Sequence, residues 1–295
     1  MSAAPSTRLA TVLLWVVPAL WSTNYLIARA SNGVIGAHAL AFGRWGLAML
    51  LLLPLTAAGL WSRREALRRE WRQLLVLGGF GMWICGAWVY LGGQHTSATN
   101  IALIYAVTPI AIAIVGSWLL HERMLPAQWI GAALALAGLL MVISRGDPAA
   151  LLSVRFGAGD LWIVAASASW VAYSVLLKRW PSALGPAERL VAISAGGLLL
   201  LAPFTLAEAW VAPTQPSWKA AGLVLAAAVV PGVLSYGAYS FLQRELGAAR
   251  TALMLYLTPV YAPLMAWAAL GEAPRWYHVT GAALILPSIA LATRR

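Results

Sequence analysis

Apolar residues run along this chain in long blocks, each closed by a short polar break, with almost no alternation of period two. A helix needs about 20 apolar residues to cross ~30 Å of hydrocarbon at ~1.5 Å per residue. Ten segments have that length: Leu9–Ala30, His38–Leu60, Trp71–Gly92, Thr99–Leu119, Ala127–Ile143, Asp160–Leu177, Glu188–Glu208, Trp218–Leu242, Thr251–Leu270 and Tyr277–Ala292. The breaks hold turn and charge signals such as Ser62-Arg63-Arg64, Gly146-Asp147-Pro148 and Pro213 with Pro216, and none is long enough for a second domain. The first run is longer than a signal-peptide core. Polar Ser22, Thr23 and Asn24 lie late in it and no small-residue cleavage pattern follows, so it reads as a retained helix.

Composition supports lipid as the solvent. Apolar residues make up 61% of the chain and charged ones 10%, with a mean hydropathy of +0.78. A soluble domain averages about 45–50% apolar and about 25% charged. The net charge of +11 does not point to nucleic acid, because no soluble segment exists to carry a basic groove. It fits cationic loops on the cytoplasmic side. With the N-terminus inside, 14 of the Lys and Arg residues fall in inner segments and 5 in outer ones, while Arg44 lies within a span. That bias puts both termini in the cytoplasm and the protein in the cytoplasmic membrane. The lone Cys85 excludes an internal disulfide and a zinc site of the Cys-cluster kind.

Displaced by 150 residues, Ala102–Val142 aligns without a gap on Ala252–Ala292, with ten of 41 positions identical. The informative matches are Thr108-Pro109 on Thr258-Pro259, Glu122 on Glu272 and Gly131 on Gly281. Trp21 meets Trp170 and Arg29 meets Lys178 at an offset of 149, which carries the duplication weakly into the first helix of each half. Five helices per half is an odd number, so the halves enter the membrane from opposite sides. The expected fold is all-α: ten transmembrane helices arranged as two inverted five-helix repeats, 1–146 and 147–295, around a central cavity.

The paired stretches Thr108-Pro109…Leu120-His121-Glu122-Arg123…Gly131 and Thr258-Pro259…Leu270-Gly271-Glu272…Gly281 resemble the drug/metabolite transporter superfamily, in its ten-helix EamA-type branch. Within it, the aromatic residues give a resemblance to the aromatic amino acid and methyl viologen exporters of the YddG kind. The resemblance implies a secondary transporter that moves metabolites through a central cavity, mostly outward.

The residues suggest where solute would bind. Trp21, Asn24, Tyr25 and Ala28 follow helical spacing, as do Trp83, Ala87 and Tyr90; Trp170 with Tyr173; and Tyr236, Tyr239 and Gln243. Tyr105 and Tyr256 precede the two Thr-Pro steps. Tryptophans at span ends, such as Trp61 and Trp218, belong to the interfacial belt. Mid-span tyrosines and tryptophans need partners for their polar tips, which favours a polar lumen over plain packing. Asn24 and Asn100 serve equally well as solute ligands or as interhelical glue. Arg44, roughly 9 Å along its helix at ~1.5 Å per residue, reads first as snorkelling to the outer headgroups and second as counter-charge for a solute carboxylate. Pro109 and Pro259, each near mid-membrane, are either hinges for alternating access or static kinks. Leu77-Gly78-Gly79-Phe80-Gly81 lacks the end of a phosphate loop and reads as close helix packing.

All nine acids lie in breaks or at span ends, which weakens coupling through a buried acid and favours a facilitator or another form of coupling. The histidines lie near ends too, so a membrane enzyme is second to a carrier, and a channel without a filter loop is third. No cofactor and no metal are expected. The expected partners are a small solute, aromatic or other apolar amino acids leading, and membrane lipid, with a monomer plausible.

Overall fold

The apolar blocks fold as helices in the computed structural model, which describes residues 5–96, 98–122, 124–270 and 274–292. In chain order these are α1 (Pro5–Ser31), α2 (Ala37–Ser62), α3 (Arg64–Gly93), α4 (Ala98–Leu120), α5 (Pro126–Ile143), α6 (Ala158–Arg179), α7 (Pro186–Val211), α8 (Trp218–Leu246), α9 (248–270) and α10 (Trp276–Ala292). Among the described residues, α1 to α8 are long and apolar enough to cross a membrane, and no strand is present. The two remaining expected spans are helical as well. The ninth is interrupted by a tight turn over Met254–Leu257, and the tenth has 17 residues. Glu272, a carrier of the sequence repeat, lies outside the described residues.

Local chemistry sets the helix ends. Pro126 and Pro186 open α5 and α7, where a missing N–H costs nothing. Ser217 accepts from Ala220 N at 3.1 Å to cap α8. Gly247 begins α9 at φ 87°, and a Cβ there would meet the Glu122 carboxylate at 2.8 Å. That carboxylate accepts from the backbone N–H groups of Ala248 and Ala249, at 3.2 Å each. A residue just past the end of α4 thereby caps the start of α9.

Contacts at both ends show that α2 and α7 run antiparallel. At one end Glu208 of α7 accepts from His38 N at 3.0 Å and Ala39 N at 2.9 Å, capping α2, and also pairs with His38 Nδ1. At the other end Arg63, just past α2, pairs with Glu188 in the first turn of α7. The helices α5 and α10 pack through glycine: a Cβ on Gly138 would lie 2.7 Å from the Gly281 carbonyl. Gly78 of α3 sits against the backbone of Gly197 in the same way, as the glycine-rich run suggested.

Both α3 and α8 contain a π-helical stretch, Gly79–Ile84 and Ala228–Leu234. A 150-residue displacement puts one on the other. Pro109 lies inside an unbroken α4, whereas Pro259 lies two residues past the tight turn of α9; each proline denies an α-helical N–H to the carbonyl four residues before it, Tyr105 O or Leu255 O, and only in α9 does the helix tighten there. Leu55, Trp118, Leu199 and Leu206 point out of the bundle, where lipid is the solvent.

Candidate functional site

Five of the aromatic residues singled out in the sequence meet in the centre of the bundle. Trp21 of α1 lies with its ring centroid 5.4 Å from Trp170, 5.9 Å from Tyr236 and 5.1 Å from Tyr239. Trp170 stacks on Tyr173 at 5.2 Å, and Tyr236 reaches both of them within 6 Å. Helices α1, α6 and α8 thus contribute rings at one level, and each such pair adds about 0.5–1.5 kcal/mol beyond its buried area. Trp45 of α2, which sequence reasoning passed over, completes the group edge-on to Tyr236 at 4.7 Å and is wholly buried. The only sequence signal for Trp45 was its place beside Arg44.

Arg44 does not snorkel. Its side chain is 4% exposed, its Nη2 donates to the Pro231 carbonyl at 2.7 Å, and its Cζ lies 4.6 Å from the Trp45 ring centre and 5.7 Å from that of Tyr236. A cation at the centre of a span costs about 2.5–3.5 kcal/mol on insertion scales. A charge-assisted hydrogen bond of about 1.5–3 kcal/mol and cation–π contacts of up to about 2 kcal/mol when desolvated are large enough to offset it. The match is incomplete, because Arg44 Nε is buried without an acceptor, as is Trp45 Nε1.

The π turns explain why carbonyls are available here. A π turn widens the helix and frees carbonyl oxygens for side-chain donors. In α3, Phe80 O accepts from Ser169 Oγ at 2.7 Å and Gly81 O from Tyr236 Oη at 3.3 Å. In α8, Val230 O accepts from Ser235 Oγ at 3.0 Å and Pro231 O from Arg44. Phe80 and Gly81 are the residues that displacement by 150 brings onto Val230 and Pro231. The aromatic group lies between two equivalent carbonyl steps. A polar ladder leads away from it: Tyr239 Oη donates to Ser174 Oγ at 2.9 Å and accepts from Gln243 Nε2 at 3.1 Å. Lys178 Nζ then donates to Gln243 O at 2.9 Å.

The other expected ligands lie apart from this group. Tyr90 donates to Asn24 Oδ1 at 2.8 Å, joining α3 to α1. Asn100 donates to the Asp160 carboxylate at 3.0 Å and to Arg155 O at 2.9 Å, so it ties α4 to the start of α6. Tyr256 donates to Ala106 O at 2.9 Å within a separate cluster of α4, α5, α9 and α10. Tyr105 reaches Cys85 of α3. Trp83 stacks on Phe204 at 4.5 Å, beside a cleft of about 370 Å³ lined by His38, Leu91, Phe204 and Glu208 at the α2–α7 junction. Among the described residues no three His, Cys, Asp or Glu side chains gather as metal ligands do.

Known proteins share this arrangement of helices. The EamA-like transporter family matches the chain twice, over residues 9–144 and 157–294. The uncharacterized transporter YyaM of Bacillus subtilis is 26% identical over 92% of this chain and 88% of its own. A probable terminal-alkyne amino-acid exporter of Streptantibioticus cattleyicolor is 26% identical over 93% and 90% of the two chains. One solved crystal structure superposes with a TM-score of 0.74 at 23% identity over 96% of each chain, which shows a common fold.

Proposed function

Because the chain belongs to the EamA-like transporter family, we propose that it is a carrier for small amphipathic metabolites, with aromatic and other apolar amino acids the leading class. It is a multi-pass membrane protein, and its similar proteins bear the names of transporters. The observation that carries the reading is the aromatic group around Arg44, built from both halves and bounded by the two π turns. Ring faces stack on an apolar body, and indole, hydroxyl and guanidinium groups address its polar end. One similar protein is named as a probable amino-acid exporter, which supports the same solute class. The buried cation disfavours organic cations, which the resemblance to methyl viologen exporters had brought in.

Alternating access is the mechanism this reading implies. The rings pack on one another, so a solute is admitted only when α1, α6 and α8 part. The carboxylate that ties the end of α4 to the start of α9 supports two inverted five-helix halves, as do the antiparallel α2 and α7. Proteoliposomes holding the purified protein should exchange labelled phenylalanine or tryptophan, with saturable counterflow, faster than labelled aspartate. Exchange of aspartate or phosphate esters without aromatic amino acids would overturn the proposal.

A further inference from the structure

Resting on the carrier reading, we infer that Arg44 binds the solute carboxylate and that the site selects aromatic monocarboxylates, the amino group being dispensable. Two buried donors in one cluster, Arg44 Nε–H and Trp45 Nε1–H, have no acceptor. The carbonyl oxygens engaged in this cluster, Gly81 O and Pro231 O, accept from Tyr236 and from Arg44 Nη2, and neither pairs with Arg44 Nε–H or Trp45 Nε1–H. An acceptor-only group with several lone pairs is what the pair lacks, and a carboxylate is that group. The Nε–H lies on one edge of the planar guanidinium with an Nη2–H, the edge that grips a carboxylate bidentately.

The same centre offers little to an ammonium. Among the described residues no carboxylate forms an ion pair with Arg44, and the buried or half-buried acids are engaged elsewhere. Glu70 holds Ser182 and Ala183, Glu208 holds His38 and Ala39, Glu188 holds Arg63, Asp160 holds Asn100 and Glu122 caps α9. A solute amine would meet one cation and ring faces already turned toward that cation. Charge therefore favours an anion, and the ring cluster sets its apolar body as aromatic. A carboxylate taking Nε and Nη2 also competes with Pro231 O for the guanidinium, which links solute binding to the π turn of α8.

Binding to the full-length protein in nanodiscs, read by calorimetry and by tryptophan fluorescence, tests this with three ligands. 3-Phenylpropionate carries the acid alone, phenethylamine the amine alone and phenylalanine both. The two acids should bind within about threefold of each other and phenethylamine about tenfold or more weaker, the scale of one lost charge-assisted hydrogen bond. Arg44→Gln should weaken both acids about tenfold or more and leave phenethylamine unchanged, Arg44→Lys should keep part of the preference, and Trp45→Phe should weaken the acids alone. If Arg44→Gln does not fold, the wild-type panel and Trp45→Phe still decide the matter. Phenethylamine binding as well as the acids, or Arg44→Gln binding them unchanged, overturns the assignment of Arg44. Phenylalanine counterflow persisting in that case leaves the carrier standing, whereas no binding and no counterflow by any of the three removes both.

Discussion

At the scale of the residue, the fate of a polar atom in the core depends on direction more than on depth. Counting along α2 placed Arg44 within reach of the headgroups, but the count is silent about which way the side chain turns. It turns into the bundle, onto Pro231 O. The helical spacing of Trp21, Trp170, Tyr173, Tyr236 and Tyr239 was legible because each helix shows one aromatic face. Trp45 was not, since one ring beside a charge makes no period. Asn24 and Asn100 were singled out for polarity and Tyr90 for its helical spacing from Trp83, and neither ground separates a solute ligand from a bridge between helices. Tyr239→Phe keeps the ring contact with Trp21 and removes the hydroxyl between Ser174 and Gln243. It should cost about 1–2 kcal/mol, seen as a fall of a few degrees in melting temperature. An unchanged melting curve would show that the ladder contributes nothing to stability.

Elements show the same division between what is local and what is not. The prolines and the 150-residue register were readable, because they are written in residue types. The π turns were not, because the shift from an α to a π register goes with donors that neighbouring helices bring to Phe80, Gly81 and Pro231, beside the one that α8 itself supplies to Val230. Glycine at position 81 read as packing, and packing is part of its role: a Cβ there would lie 2.6 Å from the Tyr173 ring. That ring is held by its stack on Trp170, so Gly81→Ala should destabilise the protein by about 1–3 kcal/mol and slow counterflow. Wild-type melting and transport in this variant would mean that Tyr173 yields freely. The two prolines should also differ. Pro259→Ala restores an N–H for Leu255 O beside the turn at 254–257 and should let it become α-helical, while Pro109→Ala should leave the unbroken α4 as it is. Transport rates should fall more for Pro259→Ala; equal effects would reject a special role for the α9 break.

Over the whole molecule, span positions could be read from hydropathy, whereas helix neighbours could not. In water an apolar stripe marks the buried side of a helix; in lipid both sides are apolar, so the stripe disappears. The pairing of α2 with α7 rests instead on carboxylates and cations at their ends, and the close approach of α5 to α10 on glycine. The topology has a direct test. In a Cys85→Ser background, single cysteines at Ser62 and Ala212, exposed and 150 residues apart, should label from opposite faces of the membrane. Labelling from one face would exclude inverted halves.

Arg44 bears on how such a chain could arise. Its counterpart at the 150-residue displacement is Ser194, buried and uncharged. Two copies of one half-length ancestor, associating head to tail, would bring every residue to the centre twice. They could carry two facing arginines there or none, and two like charges in so small and dry a space repel strongly. Two halves joined in one gene would each drift on its own, so that a cation could survive on one side and a hydroxyl on the other. A buried arginine matched by a buried serine is thus open to two halves that drift separately and closed to two identical copies.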